Sequence, residues 1–173
     1  MRVWHVIPDT FNARKGRITG PLLEEPCALG RAGVIAQNEK TEGDGKSPIG
    51  SYPLRQVFYR PDRVSFPVSA LPVTALSPEL GWCDDPTHAR YNKLVRLPFG
   101  ASHEKLWRDD AIYDLIMVIG HNDDPVVTKK GSAVFVHVAR DGFTPTEGCV
   151  ALARPAMQSL LRLIQPDDKF KIG

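Results

Sequence analysis

The stretch SAVFVHVA, residues 132–139, puts Ala133, Phe135, His137 and Ala139 on one face of an extended chain and Val134, Val136 and Val138 on the other. This period of two predicts a strand. Just before it, YDLIMVIGHN (113–122) is apolar without a break from Leu115 to Ile119, the composition of a strand covered on both faces. Two such neighbours predict the centre of a β-sheet. His137 then sits near a strand end, where a side chain can emerge into a cleft.

Working outward, RVWHVIP (2–8) and GVIAQNEKTEG (33–43) alternate in the same way. GDGKSPIGSYPLRQVFYR (43–60) opens with a glycine-rich turn and runs into a strand carrying Tyr52, Leu54, Val57 and Phe58. FPVSALPVTALS (66–77) reads as a proline-broken segment at a sheet edge. The region 82–110 reads as an irregular insertion packed down by Trp82 and Tyr91. Within it, ASHEKLWRDD (101–110) is expected to form a short helix, with Ser102 as its cap and Lys105 on its first turns.

Near the C-terminus, Pro155 suits a first helical turn, where its missing N–H costs nothing. Met157, Leu160, Leu161 and Ile164 recur at helical spacing, Pro166 stops the pattern, and DKFKIG (168–173) returns as a strand. The fold expected is mainly β, one domain over 1–173, with one packed C-terminal helix and the short mid-chain helix.

Fifteen prolines and fourteen glycines in 173 residues agree with many turns between short strands. A 42% hydrophobic fraction supports a real core. Net charge is +2 with scattered basic residues, so nothing points to nucleic acid or a charged membrane surface. No apolar run reaches the roughly 20 residues needed to span a bilayer. The start, MRVWHVIPDT, lacks the apolar core of a signal peptide.

Three cysteines, Cys27, Cys83 and Cys149, cannot all pair within one chain. Neither C-x-x-C nor H-E-x-x-H occurs, so no metal site is expected. Cys149 follows His137 by twelve positions across the loop RDGFTPTEG (140–148). A thiol needs a base or a positive field to become a nucleophile, and a strand-borne histidine can supply the base. Gly148 permits positive φ, so the N–H groups of Gly148 and Cys149 could both point into a cleft as oxyanion donors. His121 is a rival base at the end of the adjacent strand. His5, His88 and His103 read as surface or packing residues, and Cys27 and Cys83 as structural. The pattern fits equally a turn glycine, a core histidine and a buried thiol.

Two segments carry a resemblance. FVHVARDGFTPTEGCVAL (135–152) resembles the signature of the YkuD-like L,D-transpeptidase family, in which a strand histidine precedes a [Ser/Thr]-His-Gly-Cys loop. GDGKSPIGSYPL (43–54) resembles that family's upstream K-(S/T)-P-x-G-x-(Y/F) segment, here Lys46, Ser47, Pro48, Gly50 and Tyr52. Between them, residues 81–123 are similar to a proteobacterial branch of short members.

The resemblance implies a mixed β-sandwich-like catalytic domain acting on peptidoglycan stem peptides, and that substrate implies the periplasm or cell envelope; a monomer is expected, and the mechanism requires no cofactor. It implies that Cys149 attacks the carbonyl before a terminal D-amino acid and that His137 takes the thiol proton. An acceptor amine then resolves the thioester, and carbapenems react at the same cysteine.

Two positions depart from the family. Glu147 replaces the histidine before Gly-Cys, Thr146 keeps the Ser/Thr position, and Ala151 replaces the Arg or Asn after the cysteine, leaving Arg154 nearby. Glu147 is expected to point away from the thiol or to bind the acceptor amine. Trp82, Tyr91, Asn92, Asp84 and Asp85, together with His121, Thr146 and Arg154, are further candidates for substrate contact. For the insertion, a surface loop anchored by Trp82 and Tyr91 is the competing expectation. Other readings of the chain are a hydrolase on the same thioester (an L,D-carboxypeptidase or amidase) and a non-catalytic cell-wall-binding β domain.

Overall fold

The computed structural model describes all residues, 1–173. Thirteen strands and one α-helix follow in chain order: β1 (Val3–Pro8), β2 (Lys15–Gly20), β3 (Leu23–Ala28), β4 (Val34–Ala36), β5 (Ser47–Tyr59), β6 (Val73–Ala75), β7 (Leu80–Cys83), β8 (Leu94–Arg96), β9 (His103–Lys105), β10 (Leu115–Ile119), β11 (Phe135–Val138), β12 (Val150–Leu152), α1 (Arg154–Leu163) and β13 (Lys169–Ile172). The mainly-β reading holds.

The large sheet runs β10-β11-β12-β3-β2-β1-β13-β5, with β4 added parallel to β5 at its end. It is mixed: β11 lies parallel to β12 and β1 parallel to β13, while the other neighbours from β10 to β5 are antiparallel. The long β5 turns the sheet back on itself. Its first half pairs with β13 from Gly50 to Pro53, and its second half pairs with β10 from Leu54 to Tyr59. β6 adds to β5 alone, as the proline-broken segment predicts.

The two faces of the central strands bury different things. Val134, Val136, Val138, Val150 and Leu152 join Leu115, Met117 and the helix residues Met157, Leu160, Leu161 and Ile164 in the main core. Phe135 and Cys149 join Ile116, Val118, Trp82, Leu106 and Tyr113 in a second core on the opposite side. β10 is therefore covered on both faces, which is why its run from Leu115 to Ile119 has no polar position. Full burial of each large aliphatic side chain contributes about 1.5–3 kcal/mol. The helix stripe alone is thus a major part of what closes the main core.

The insertion is not irregular, and it holds no helix. Residues 103–105 form β9, which pairs with β7, and β8 flanks β7 on its other side. Helical spacing over 101–110 loses to cross-strand pairing: Trp82 sits opposite Glu104 and Cys83 opposite His103. Ser102 caps nothing; its hydroxyl donates to Asp84 Oδ1 at 2.6 Å. This small sheet covers the second core, over the face that carries His137 and Cys149. No helix is long and apolar enough to cross a membrane.

Candidate active site

The parallel pairing of β11 and β12 sets His137 opposite Ala151. Cys149, two residues before Ala151, therefore shares the face of His137, one step along the neighbouring strand. Both line a cleft of about 760 Å³ between the large sheet and the insertion. Cys149 is 8% exposed and His137 4%.

The two hydrogen-bonding sites of the His137 ring are distinct. Nδ1 donates to Val138 O at 2.9 Å, since a carbonyl can only accept. That fixes the neutral tautomer with its lone pair on Nε2. The Tyr113 ring packs edge-on against the imidazole, with centroids 5.3 Å apart, and the Tyr113 hydroxyl donates to Glu104 Oε1 at 2.6 Å. The Cys149 thiol donates to Ala133 O at 3.2 Å and accepts the Phe135 N–H at 3.4 Å. Burial pushes the His137 imidazole down to about 4. Burial, with the Glu104 carboxylate adding to it, pushes the Cys149 thiol up to about 12. At neutral pH both groups are uncharged.

The two separated sequence motifs meet at the cysteine. Thr146 Oγ1 donates to Cys149 O at 2.7 Å, and Ser47 Oγ reaches the same carbonyl at 3.4 Å. Ser47 Oγ also accepts the Gly30 N–H at 3.0 Å, which ties the start of β5 to the loop after β3. Gly148 has φ +134°, and a Cβ there would lie 2.9 Å from Lys46 O. The tight loop thus presses against the Lys-Ser-Pro segment, where only glycine fits.

The Gly148 N–H, expected as an oxyanion donor, is engaged within the turn. It donates to Thr146 Oγ1 at 3.1 Å, because the threonine hydroxyl bridges the turn by accepting from Gly148 while donating to Cys149 O. The Cys149 N–H makes no hydrogen bond within the chain.

Glu147 turns outward, with its side chain 77% exposed, and its Oε2 accepts from Arg31 Nε at 2.8 Å. His121, the rival base, is not in the cleft lining. Its Nε2 donates to Lys130 O at 2.9 Å, and burial pushes its imidazole down to about 4. Arg154 also lies outside the cleft lining, at the start of α1, paired with the buried Asp114. Trp82, Tyr91 and Asn92 form the support of the wall rather than its surface: Trp82 Nε1 donates to Asn92 Oδ1 at 2.9 Å, and the Tyr91 hydroxyl donates to Glu42. Of the two aspartates in the insertion, Asp84 lines the cleft and Asp85 does not.

Several residues of the cleft carry no local signal in the sequence. Lys40 and Glu42 on one stretch, and Glu104, Arg108 and Tyr113 on another about sixty residues later, meet only in the fold. His103, which reads as a packing residue, lies in the lining as well.

Comparison with known proteins fits this arrangement. Neither a curated protein nor a solved structure matches the chain. A family model, described as the L,D-transpeptidase catalytic domain YkuD, matches residues 7–172. That span includes both motifs, the insertion, the helix and the last strand. The chain belongs to the YkuD family of L,D-transpeptidase catalytic domains, cysteine-dependent enzymes that act on peptidoglycan peptides.

Proposed function

We propose that this protein is a peptidoglycan L,D-transpeptidase of the cell envelope, working as one catalytic domain with Cys149 as nucleophile and His137 as base. The observation that carries this reading is the shared face of the two side chains on parallel neighbouring strands at the floor of one cleft. As Sγ attacks the carbonyl carbon before a terminal D-amino acid, the S–C bond forms and the thiol proton moves to Nε2 of His137. The C–N bond then breaks, the leaving amine takes that proton, and a thioester remains on Cys149. An acceptor amine attacks the thioester and gives a proton to His137; the C–S bond breaks, His137 returns that proton to the departing sulfur, and a new amide and the free thiol remain.

Because both groups start neutral, proton transfer accompanies attack rather than preceding it. The thiol must leave Ala133 O and turn to His137 first. That reorientation is a side-chain rotation on a fixed backbone, since Thr146 and Ser47 hold Cys149 O.

Incubation with disaccharide-tetrapeptides, followed by mass spectrometry, tests the reading. Cross-linked dimers with loss of one terminal residue are expected, and Cys149→Ala abolishes them. Shortened monomers without dimers would assign hydrolysis instead. No product from the folded wild-type protein would sink both.

A further inference from the structure

We propose that Lys40 is a catalytic residue of this site, its ammonium pairing with the Cys149 N–H to hold the acyl oxygen of the tetrahedral intermediate. The inference rests on acyl transfer at Cys149. It starts from a deficit: an oxyanion built on the Gly148 and Cys149 amides would have two donors, but the Gly148 N–H is committed to Thr146 Oγ1. One amide alone leaves the developing charge under-compensated in a buried cleft, where such charge is costly.

Lys40 stands at the place where the second donor is missing. It is 3% exposed and lines the cleft with Gly148 and Cys149. A Cβ built on Gly148 would lie 3.7 Å from Lys40 Nζ, so the ammonium faces the peptide that leads into the nucleophile. The stem is aimed by a slot. Gly131, at φ +95°, has no side chain there, and a Cβ would meet Lys40 Cε at 3.1 Å and Cγ at 3.3 Å.

An ammonium has three donors. Lys40 gives one to Asp44 and one to Thr41 O at 3.3 Å, which leaves one for the cleft. Asp44 does not need Lys40 for its position, since the Thr41 and Lys46 N–H groups donate to it at 3.0 and 2.9 Å. Of the other cations of the cleft, Arg108 and Arg140 are both drawn to Asp110, and Lys105 on β9 is exposed to solvent rather than buried beside Gly148 and Cys149.

Two reactions at the same sulfur separate this role from others. Acylation by a disaccharide-tetrapeptide passes through an oxyanion; alkylation by iodoacetamide displaces iodide at carbon and does not. In single-turnover measurements by intact mass, Lys40→Met is expected to slow acylation by about 100-fold or more, the usual loss for one oxyanion donor. Alkylation of Cys149 should fall by less than about tenfold, and Lys40→Arg should keep acylation within about tenfold of wild type.

Wild-type acylation in Lys40→Met overturns the proposal, and so do equal losses in both reactions, which would assign Lys40 to thiol ionisation or to the fold. If Lys40→Met does not fold by circular dichroism, Lys40→Gln against Lys40→Arg decides. Gln keeps a donor for Asp44 without the charge, so equal acylation by the two overturns the proposal. A wild-type protein that forms no thioester refutes acyl transfer itself, a result distinct from any difference among Lys40 variants.

Discussion

Asn92 Oδ1 accepts the backbone N–H of Ala133 at 3.0 Å. Ala133 O in turn accepts the Cys149 thiol. Asn92 is saturated: the same oxygen takes Trp82 Nε1, and Nδ2 donates to His121 O at 3.0 Å and Asn122 O at 2.8 Å. Its φ of +55° is one that asparagine tolerates better than most residues. Through this one side chain the insertion grips the segment that receives the thiol.

Asn92→Ala leaves the Trp82 N–H, the Ala133 N–H and two carbonyls without partners. Each buried orphan costs about 1–3 kcal/mol, so a loss of about 3 kcal/mol or more is expected in urea denaturation. In the fraction that stays folded, acylation should fall at least about tenfold, because Ala133 is no longer fixed. An Asn92→Ala protein with wild-type stability and wild-type acylation would show that the insertion does not position the nucleophile.

The two neutral groups of the site dictate a pH profile. His137 accepts a proton only when uncharged, and burial holds its imidazole down to about 4. Protonation below that value removes the base, so acylation rises with pH through about 4. The thiol is pushed up to about 12, so no thiolate limb enters near neutrality. Single-turnover acylation should therefore be flat from about pH 5 to about pH 9. A tenfold rise per unit between about 7 and 9 would mean that a preformed thiolate is the reacting species. Slow iodoacetamide alkylation of the native protein follows from the same burial, and by itself says nothing against catalysis.

Gly148→Ala tests the pressed loop. The new methyl would lie 2.9 Å from Lys46 O, in a backbone conformation that side chains rarely adopt. Strain of about 1–3 kcal/mol is expected, relieved only by moving the Cys149 backbone away from Ser47 and Thr146. Thermal denaturation should report the loss, and acylation should fall by about 100-fold or more, in line with a displaced nucleophile. Unchanged melting and turnover would refute the close approach.

What the sequence made legible was what local period and local motif encode. β5, β10, β11 and α1 each carry their pattern within a few residues, and the His137–Cys149 spacing needs only one strand and one loop. The β2–β3 hairpin is illegible because Glu24, Glu25 and Pro26 interrupt any alternation, and its strands are defined by pairing rather than composition. The 101–110 segment misleads for the same reason: Glu104 and Lys105 favour helix alone and become strand only opposite Trp82 and Gly81. Gly148 promises an amide to the cleft until the Thr146 hydroxyl takes it. Lys40 is further out of reach, since nothing near it in the chain announces Cys149.

The closing of the fold rests on another such long-range tie, and it is open to titration. Asp168, 1% exposed, accepts the Arg2 N–H at 2.8 Å, Arg2 Nη2 at 2.9 Å, Trp4 Nε1 at 3.1 Å and the Gln165 N–H at 3.0 Å. This joins the start of β1 to the turn before β13. Burial pushes the carboxyl up, but the hydrogen bonds from Arg2, Trp4 and Gln165 outweigh it and hold it at about 2. The folded value lies below the unfolded one, so the stabilisation is fully present above about pH 4 and is lost as pH falls from about 4 to about 2. Its size is on the order of 2 kcal/mol. Asp168→Asn should therefore be less stable than wild type at pH 7, and the gap should narrow by about that amount near pH 2.5. A gap that does not change with pH would mean that the carboxylate charge contributes nothing, and that shape and hydrogen bonding alone hold the two ends of the chain together.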